Sequence, residues 1–312
     1  MTVIVISGGL SHERDVSLRS GRRVTQALRS LGHTVVETDV GTDLVPLVQS
    51  TEDPVVIPML HGGLGEDGAL REVLGLLRVP FVGPTGAASR LTFDKAIATR
   101  VVANAGLRVT QQVALPHDIF RELGAPSLMQ AIGDQIGYPI MVKPSRSGSA
   151  LGALKVDDQD SLATALVGAY AYGPVAVVER FIEGTELAVT VLETEGGLRA
   201  LPPVEIRPTS GVYDYEARYT AGATRFVTPA ELPLEQLLAA QELAIGAHEA
   251  LGLRHLSRTD MVVGADGTPI FLEGNVAPGM TETSLAPLAF EAEGMELGAV
   301  FSSLIELARN QR

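Results

Sequence analysis

A chain of 312 residues exceeds what one small hydrophobic core can organise and has room for two or three compact modules. A 46% hydrophobic share, with 33 glycines and 18 prolines dispersed along the chain, excludes disorder and collagen-like repetition. Against 37 Asp and Glu stand 24 Lys and Arg, a formal charge of -13 without a basic stripe, which argues against nucleic acid as a partner; the lack of cysteine removes disulfides, thiolate nucleophiles and Cys-ligated zinc.

The first residues carry no basic flank and run into Gly8-Gly9, so residues 2–7 read as a strand rather than a signal peptide, and a soluble, cytoplasmic protein is expected. Val24, Leu28 and Leu31 mark a helical stripe closed by Gly32. Strands at 33–38 and 55–59, a helix at 68–77 and a strand at 79–82 ending in Gly83-Pro84 follow. This alternation predicts a parallel sheet covered by helices. Near residue 92 the pattern changes to a helix through 105, a helix at 127–136, a strand at 140–142 and a Gly-Ser loop at 145–152. A strand at 154–156, a helix at 160–169 and a strand at 175–179 complete this stretch, and a second boundary falls near 181. The uncharged run 162–178 is broken by Gly173-Pro174 and reads as helix then strand, not as a membrane span. Beyond 181 come a hairpin, 186–193 and 198–201 about Gly196-Gly197, a Tyr-rich polar segment at 211–222 and a helix at 234–251. Strands at 256–263 and 269–272 joined by Asp266-Gly267, a loop and a final helix end the chain.

The strongest chemical constellation is Asp260, Glu273 and Asn275. Asp260 lies in one predicted strand, and Glu273 and Asn275 follow its neighbour with a spacing of two, which puts both on one face. Hard oxygen donors on adjacent strand ends suit magnesium; the same spacing also fits a pair of surface carboxylates at a hairpin. Lys143 ends a strand just before the glycine-bearing segment 144–152, whose N–H groups can approach an anion, although no Walker A pattern is present. Lys95 opens a helix, where a cation opposes the dipole, so either a bound anion or plain solvation accounts for it. Glu179 to Ile182, with Glu186 just beyond, reads as a linker that presents backbone groups to a purine and a carboxylate to a ribose, or as an ordinary interdomain turn. His61-Gly62-Gly63 with Glu66-Asp67-Gly68 occupies the C-terminal end of a strand, where open α/β sheets bind ligands; His61 equally fits a capping or core role. Glu13, at the same sheet end, can hold an ammonium or support a hydroxyl, and equally reads as a carboxylate near a helix N-terminus. Arg258 shares the strand face of Asp260 and can offset developing negative charge, and the loop carrying Gly279, Ser284 and Leu285 enters a helix whose N–H groups can take a carboxylate. No Ser/His/Asp spacing, His-Glu-x-x-His or Gly-x-Gly-x-x-Gly is found, which weakens hydrolase and dehydrogenase readings.

In order along nearly the whole chain, these segments resemble the D-alanine:D-alanine ligase family of the ATP-grasp superfamily. The matching stretches are Gly8-Gly9 with Ser11-x-Glu13, His61-Gly62-x-x-Gly65-Glu66-Asp67-Gly68, Asp94-Lys95, Lys143-Pro144-Ser145 with Gly148-Ser149, Tyr213 to Tyr219, Arg258-x-Asp260, and Glu273-x-Asn275-x-x-Pro278-Gly279-Met280-Thr281. The resemblance implies an α/β chain with an ATP-grasp fold: an N-terminal parallel-sheet domain of pre-ATP-grasp, Rossmann-like type (1–91), a central α+β domain (92–181) and a C-terminal α+β domain (182–312). It implies ATP as co-substrate and two magnesium ions, with manganese as an alternative, held by Asp260, Glu273 and Asn275. By the same match Lys95, Lys143 and Arg218 face ATP phosphates, Glu179 and Ile182 the adenine, and Glu186 the ribose. Glu13 meets the ammonium of a first D-alanine and connects through Ser149 to Tyr219, while His61 lines that pocket. Arg258 and the Gly279 N–H form an oxyanion site, and Ser284 and Leu285 receive the second carboxylate. The implied product is D-alanyl-D-alanine for peptidoglycan precursor, made by a cytoplasmic homodimer with no membrane or nucleic-acid partner. Three departures stand out: Arg218 where the family usually has lysine, Ala150 where it has a second serine, and the spacing residues Gly274, Val276 and Ala277. Tyr219 accompanies an amine rather than a hydroxy-acid acceptor. A paralogous ligase for other D-amino acids and a weakly catalytic nucleotide-binding regulator remain as alternatives.

Overall fold

The computed structural model describes residues 1–220 and 222–311, apart from the side chain of Tyr219. Among these residues the strands form three sheets. The first is parallel, in the order β2 (Val35–Thr38), β1 (Thr2–Ile6), β3 (Pro54–Pro58). The run Val3-Ile4-Val5-Ile6 has no polar face because both faces of this sheet are covered. Val3 and Val5 pack with Val24 and Leu28 of α1 (Arg14–Ser30), and Ile4 and Ile6 with Leu44 and Val48 of α2 (Leu44–Ser50) and Leu70 and Leu74 of α3 (Ala69–Leu76). The expected strand at 79–82 is reduced to a single parallel bridge between Phe81 and Val56. It lies between Arg78 in the left-handed region (φ 53) and Gly83 (φ 105), too short a reach for a ladder.

The helix expected from 92 to 105 is two helices. Asp94 adopts extended backbone and accepts the Ile97 N–H at 3.3 Å, which ends α4 (Gly86–Phe93) and caps α5 (Lys95–Asn104). The second sheet is antiparallel, β4 (Gln112–Pro116), β7 (Val175–Arg180), β5 (Ile140–Pro144), β6 (Leu154–Val156), after two helices, α6 (His117–Leu123) and α7 (Ala125–Ile136). Ile132 and Ile136 of α7 and Leu162 and Leu166 of α8 (Gln159–Tyr170) bury its Ile140, Val142 and Val178.

The third sheet runs β11 (Thr224–Val227), β10 (Val204–Pro208), β8 (Gly184–Thr194), β12 (Leu256–Gly264), β13 (Pro269–Asn275), with β9 (Gly197–Ala200) pairing β8 across the Gly196-Gly197 turn; all pairs are antiparallel. Between β10 and β11 lies the short α9 (Tyr215–Tyr219). One face of this sheet, Leu187, Val189, Met261 and Phe271, is sealed by Ala240, Leu243 and Ala247 of α10 (Leu234–Ala250). Alternation along β12 therefore turns Arg258 and Asp260 to the other face. The single final helix expected from sequence is also two, α11 (Leu285–Ala292) and α12 (Leu297–Asn310), parted at Gly294 (φ 66). Phe301, Leu304 and Ile305 of α12 return to the first sheet and pack beside Val3 and Val5. Among the described residues no helix is long and apolar enough to cross a membrane.

Candidate active site

The C-terminal end of the parallel sheet supplies one wall. The Ser17 hydroxyl donates to the Met59 carbonyl (2.7 Å) and accepts the Gly8 N–H (2.7 Å), tying the β1 and β3 loops together. Glu13 precedes α1, and its carboxylate accepts the Ser149 hydroxyl from the loop after β5. Gly62 and Gly148 flank that carboxylate: a Cβ on Gly62 would come within 2.6 Å of Glu13 Oε2, and one on Gly148 would collide with it. Close approach of backbone to carboxylate thus requires glycine at both positions.

Of the roles left open by its sequence, His61 takes the core one, at the edge of the site. It is buried, its Nδ1–H donates to the Ala277 carbonyl (2.9 Å), and its Nε2 accepts the Ser20 hydroxyl (3.2 Å), which in turn takes the Met280 N–H (3.0 Å). Burial, partly opposed by the Ala277 contact, brings the imidazole down to about 4, so it is neutral and fixes the loop after β13 against the first sheet.

A second wall comes from α5, β5 and β7. Lys95 Nζ donates to the Ser147 carbonyl (2.6 Å) and pairs with Glu273 at 3.1 Å. Lys143 Nζ meets Glu179 Oε1 at 2.6 Å, both buried, while Glu179 Oε2 is buried without a partner among the described residues. Asp94 holds the intervening loop by accepting the Ser145 hydroxyl (2.7 Å) and the Arg146 Nε–H (3.0 Å). Arg218 of α9 stacks on the Tyr213 ring, 4.3 Å from its centroid.

The third wall is the open face of β12 and β13, where Asp260 lies opposite Glu273 and Arg258 opposite Asn275. Arg258 clamps Asp260 through both nitrogens, Nε to Oδ1 at 2.6 Å and Nη2 to Oδ2 at 2.8 Å. Burial pushes Glu273 up, but Lys95, Lys143 and Arg218 overcome it and hold the carboxyl down at about 2. Glu186 has no such surplus of cations; burial dominates and raises it to about 7. Asn275 Oδ1 accepts the Ala277 N–H (3.0 Å). In the loop entering α11, Ser284 Oγ accepts the Thr281 N–H (3.0 Å) and lies 2.8 Å from where a Cβ on Gly279 would sit.

Between these walls are two connected compartments. A cavity of about 160 Å³ is lined by Glu13, His61, Lys95, Ser149, Arg218, Arg258, Glu273, Asn275, Gly279, Ser284 and Leu285. A larger one of about 650 Å³ is lined by Lys95, Lys143, Glu179, Ile182, Glu186, Arg218, Asp260 and Glu273. Lys95, Ser147, Tyr213, Arg218 and Glu273 border both. Every candidate site residue from the sequence lines one or the other except Tyr219, whose side chain lies outside the described residues. Lys95, Lys143 and Arg218 converge here in a protein of charge -13, and Met141, Phe181, Val262 and Leu272 give the larger compartment apolar walls, so it can take a polyanion bearing a planar aromatic base. Sequence reasoning assigned no role to Tyr213, the apolar lining or the Glu66 side chain; their only signal was membership of the Tyr-rich segment, of strand patterns and of the His61–Gly68 loop.

A family model described as D-ala D-ala ligase C-terminus matches residues 101–306. The D-alanine--D-alanine ligase of Pelotomaculum thermopropionicum is 37% identical over 308 residues, 99% of this chain and 96% of that enzyme. Among solved structures, the D-alanine--D-alanine ligase from Bacillus anthracis complexed with ATP is similar with a TM-score of 0.84 at 25% identity, covering 100% of both chains. The VanG D-Ala:D-Ser ligase from Enterococcus faecalis is similar with a TM-score of 0.84 at 27% identity, covering 98% of this chain and 99% of that one.

Proposed function

The chain belongs to the D-alanine--D-alanine ligase family, and from that premise we propose that it couples ATP cleavage to the joining of two D-alanines, as its curated relatives' name states. The observation that carries the reading is the junction of the two compartments at Lys95, Arg218 and Glu273, where a nucleotide's terminal phosphate and a small amino acid's carboxylate meet. The first D-alanine carboxylate attacks the γ-phosphorus and ADP leaves; the second amine then attacks the acyl phosphate, and collapse of the tetrahedral intermediate releases phosphate and the dipeptide. Lys95, Lys143 and Arg218 hold the phosphates, Glu179 and Ile182 the adenine, and Glu186 the ribose. The unpartnered Glu179 Oε2 offers an acceptor to an exocyclic amine. Glu13 fixes the first ammonium, Ser149 links it to Tyr219 and the closing segment, and His61 shapes the pocket. Arg258 and the Gly279 N–H offset charge on the tetrahedral oxygen, and Ser284 and Leu285 take the second carboxylate at the start of α11.

Asp260, Glu273 and Asn275 fit magnesium: all are hard oxygen donors on adjacent strands, and two of them are carboxylates, ion-paired here with Arg258 and Lys95. Magnesium held by these residues would supply Lewis-acid chemistry, offsetting charge on the transferred group. The division into 1–91, 92–181 and 182–312, a cytoplasmic location, a role in peptidoglycan precursor supply and a homodimer belong to the same proposal. The test is isotopic. D-Alanine carrying ¹⁸O in its carboxylate should deliver one ¹⁸O to the released phosphate, and unlabelled phosphate would refute the acyl phosphate route.

A further inference from the structure

The turn that leads into α11 is closed by three contacts between Thr281 and Ser284. The Ser284 N–H donates to the Thr281 carbonyl (3.1 Å), the Thr281 N–H donates to Ser284 Oγ (3.0 Å), and the two hydroxyls lie 2.8 Å apart. From behind, α1 pins the same peptides: Arg23 Nη1 donates to the carbonyls of Met280 (3.0 Å) and Thr281 (2.9 Å), and Ser20 Oγ takes the Met280 N–H (3.0 Å). Thr281 is only 3% exposed, yet it lines the smaller compartment together with Ser284.

Ser284 stands just before the first turn of α11, where a serine hydroxyl ordinarily takes an N–H of the second or third helical residue. Here it makes no such bond, and the third helical residue is Pro287, which has no N–H to give. The hydroxyl turns back to Thr281 instead. A serine hydroxyl has two acceptor lone pairs and one proton. One lone pair receives the Thr281 N–H, so the direction of the contact between the two hydroxyls decides what Ser284 presents to the compartment. When Thr281 donates, both lone pairs are filled and the Ser284 O–H is left for a ligand. When Ser284 donates, its proton is used up, and the lone pair left to the ligand repels a carboxylate oxygen.

We infer that Thr281 is a positioning residue for the acceptor amino acid: its hydroxyl donates to Ser284 Oγ and thereby commits the Ser284 O–H to the acceptor's carboxylate. The inference rests on the reading of Ser284 as a group that meets this carboxylate. Thr281 acts through Ser284 and needs no contact with the substrate. Arg23 and Ser20 hold the turn in place from α1, so the Thr281 hydroxyl can be removed without releasing the peptides around it.

The test is the steady-state kinetics of the full chain with ATP and magnesium. Thr281→Val is close to isosteric and keeps the backbone contacts. It should raise the KM for the second D-alanine about tenfold, the effect of weakening one hydrogen bond to a charged group, and leave the KM for the first within about twofold. Thr281→Ala should repeat this result, and Thr281→Ser, which keeps the hydroxyl, should restore the natural value. Because Thr281 acts through Ser284, adding Thr281→Val to Ser284→Ala should cost nothing further. Hydroxylamine in place of the second amine carries no carboxylate, so its capture of the first D-alanine's acyl phosphate as a hydroxamate should be insensitive to Thr281→Val. The role of Thr281 is overturned by a natural KM for the second D-alanine in Thr281→Val, by additive losses in the double variant, or by equal losses with hydroxylamine and with D-alanine. An unchanged KM for the second D-alanine in Ser284→Ala overturns instead the reading of Ser284, and the inference with it.

Discussion

Replacing Arg258 by alanine separates two consequences of one side chain. In the folded protein the guanidinium and Asp260 are both buried and joined by contacts of 2.6 and 2.8 Å. Removing one partner of such a pair strands the other charge in a poorly solvated site, at a cost of about 3–5 kcal/mol. Magnesium and nucleotide should restore part of that loss, because they bring positive charge back to Asp260. Turnover should not be restored. A donor aimed at charge that develops only in the transition state is worth about 10²–10³ in kcat, or roughly 3–4 kcal/mol. Urea unfolding with and without magnesium and nucleotide, beside steady-state phosphate release, resolves the two effects. The expected result is lowered stability that nucleotide partly recovers, nucleotide affinity within a few fold of the unaltered protein, and kcat reduced at least a hundredfold. A kcat within about threefold, in a variant that remains folded, would refute the role given to Arg258.

Gly148→Ala should fold almost normally, since the added Cβ meets the mobile end of Glu13 rather than backbone, yet raise the KM for the first D-alanine about tenfold or more; an unchanged KM would show that the Glu13 carboxylate need not stay where it is. Phe271, wholly buried under α10, should cost about 3–5 kcal/mol when cut to alanine, read as a lower urea midpoint at an unchanged m-value. Acid sensitivity should come in part from histidine: burial brings His61, His248 and His255 each down to about 4 from an ordinary 6.5. In this window the unfolded chain binds protons that the folded one does not, so stability is complete above pH 6.5 and is lost as pH falls. Between pH 6.5 and 5 the loss is about 2 kcal/mol for each histidine, and His248→Gln should show a smaller drop over that interval than the unaltered protein. Equal drops would remove His248 from the explanation.

The readable parts of this molecule were those with a local signature. The run Val3 to Ile6, the Gly196-Gly197 turn and the two-residue spacing of Glu273 and Asn275 carry their geometry within a few positions, and the fold keeps each of them. The outer strands were harder to read. β4 has exposed Val113 and Ala114, and β10 and β11 carry Glu205, Arg207 and Arg225, so none shows a clean apolar alternation. Asp94 ends one helix and begins the next by a side-chain cap in a stretch that otherwise reads as continuous helix. The return of α12 to the first sheet depends on pairings between the two ends of the chain, which no window of sequence contains. For the site, the chemical types of the lining residues were legible from the segments carrying them. Their contacts were not: the links from His61 to Ala277 and from Lys95 to Ser147 exist only once separate segments meet.

The central claim is most directly tested by incubating the protein with ATP, magnesium and D-alanine alone, following phosphate release and identifying the product by mass, beside parallel reactions containing D-lactate or D-serine as second substrate. The account predicts phosphate release with D-alanine alone and D-alanyl-D-alanine as the product, with Arg218 among the residues that hold the phosphates. Nucleotide binding without phosphate release for any of these pairs would contradict it.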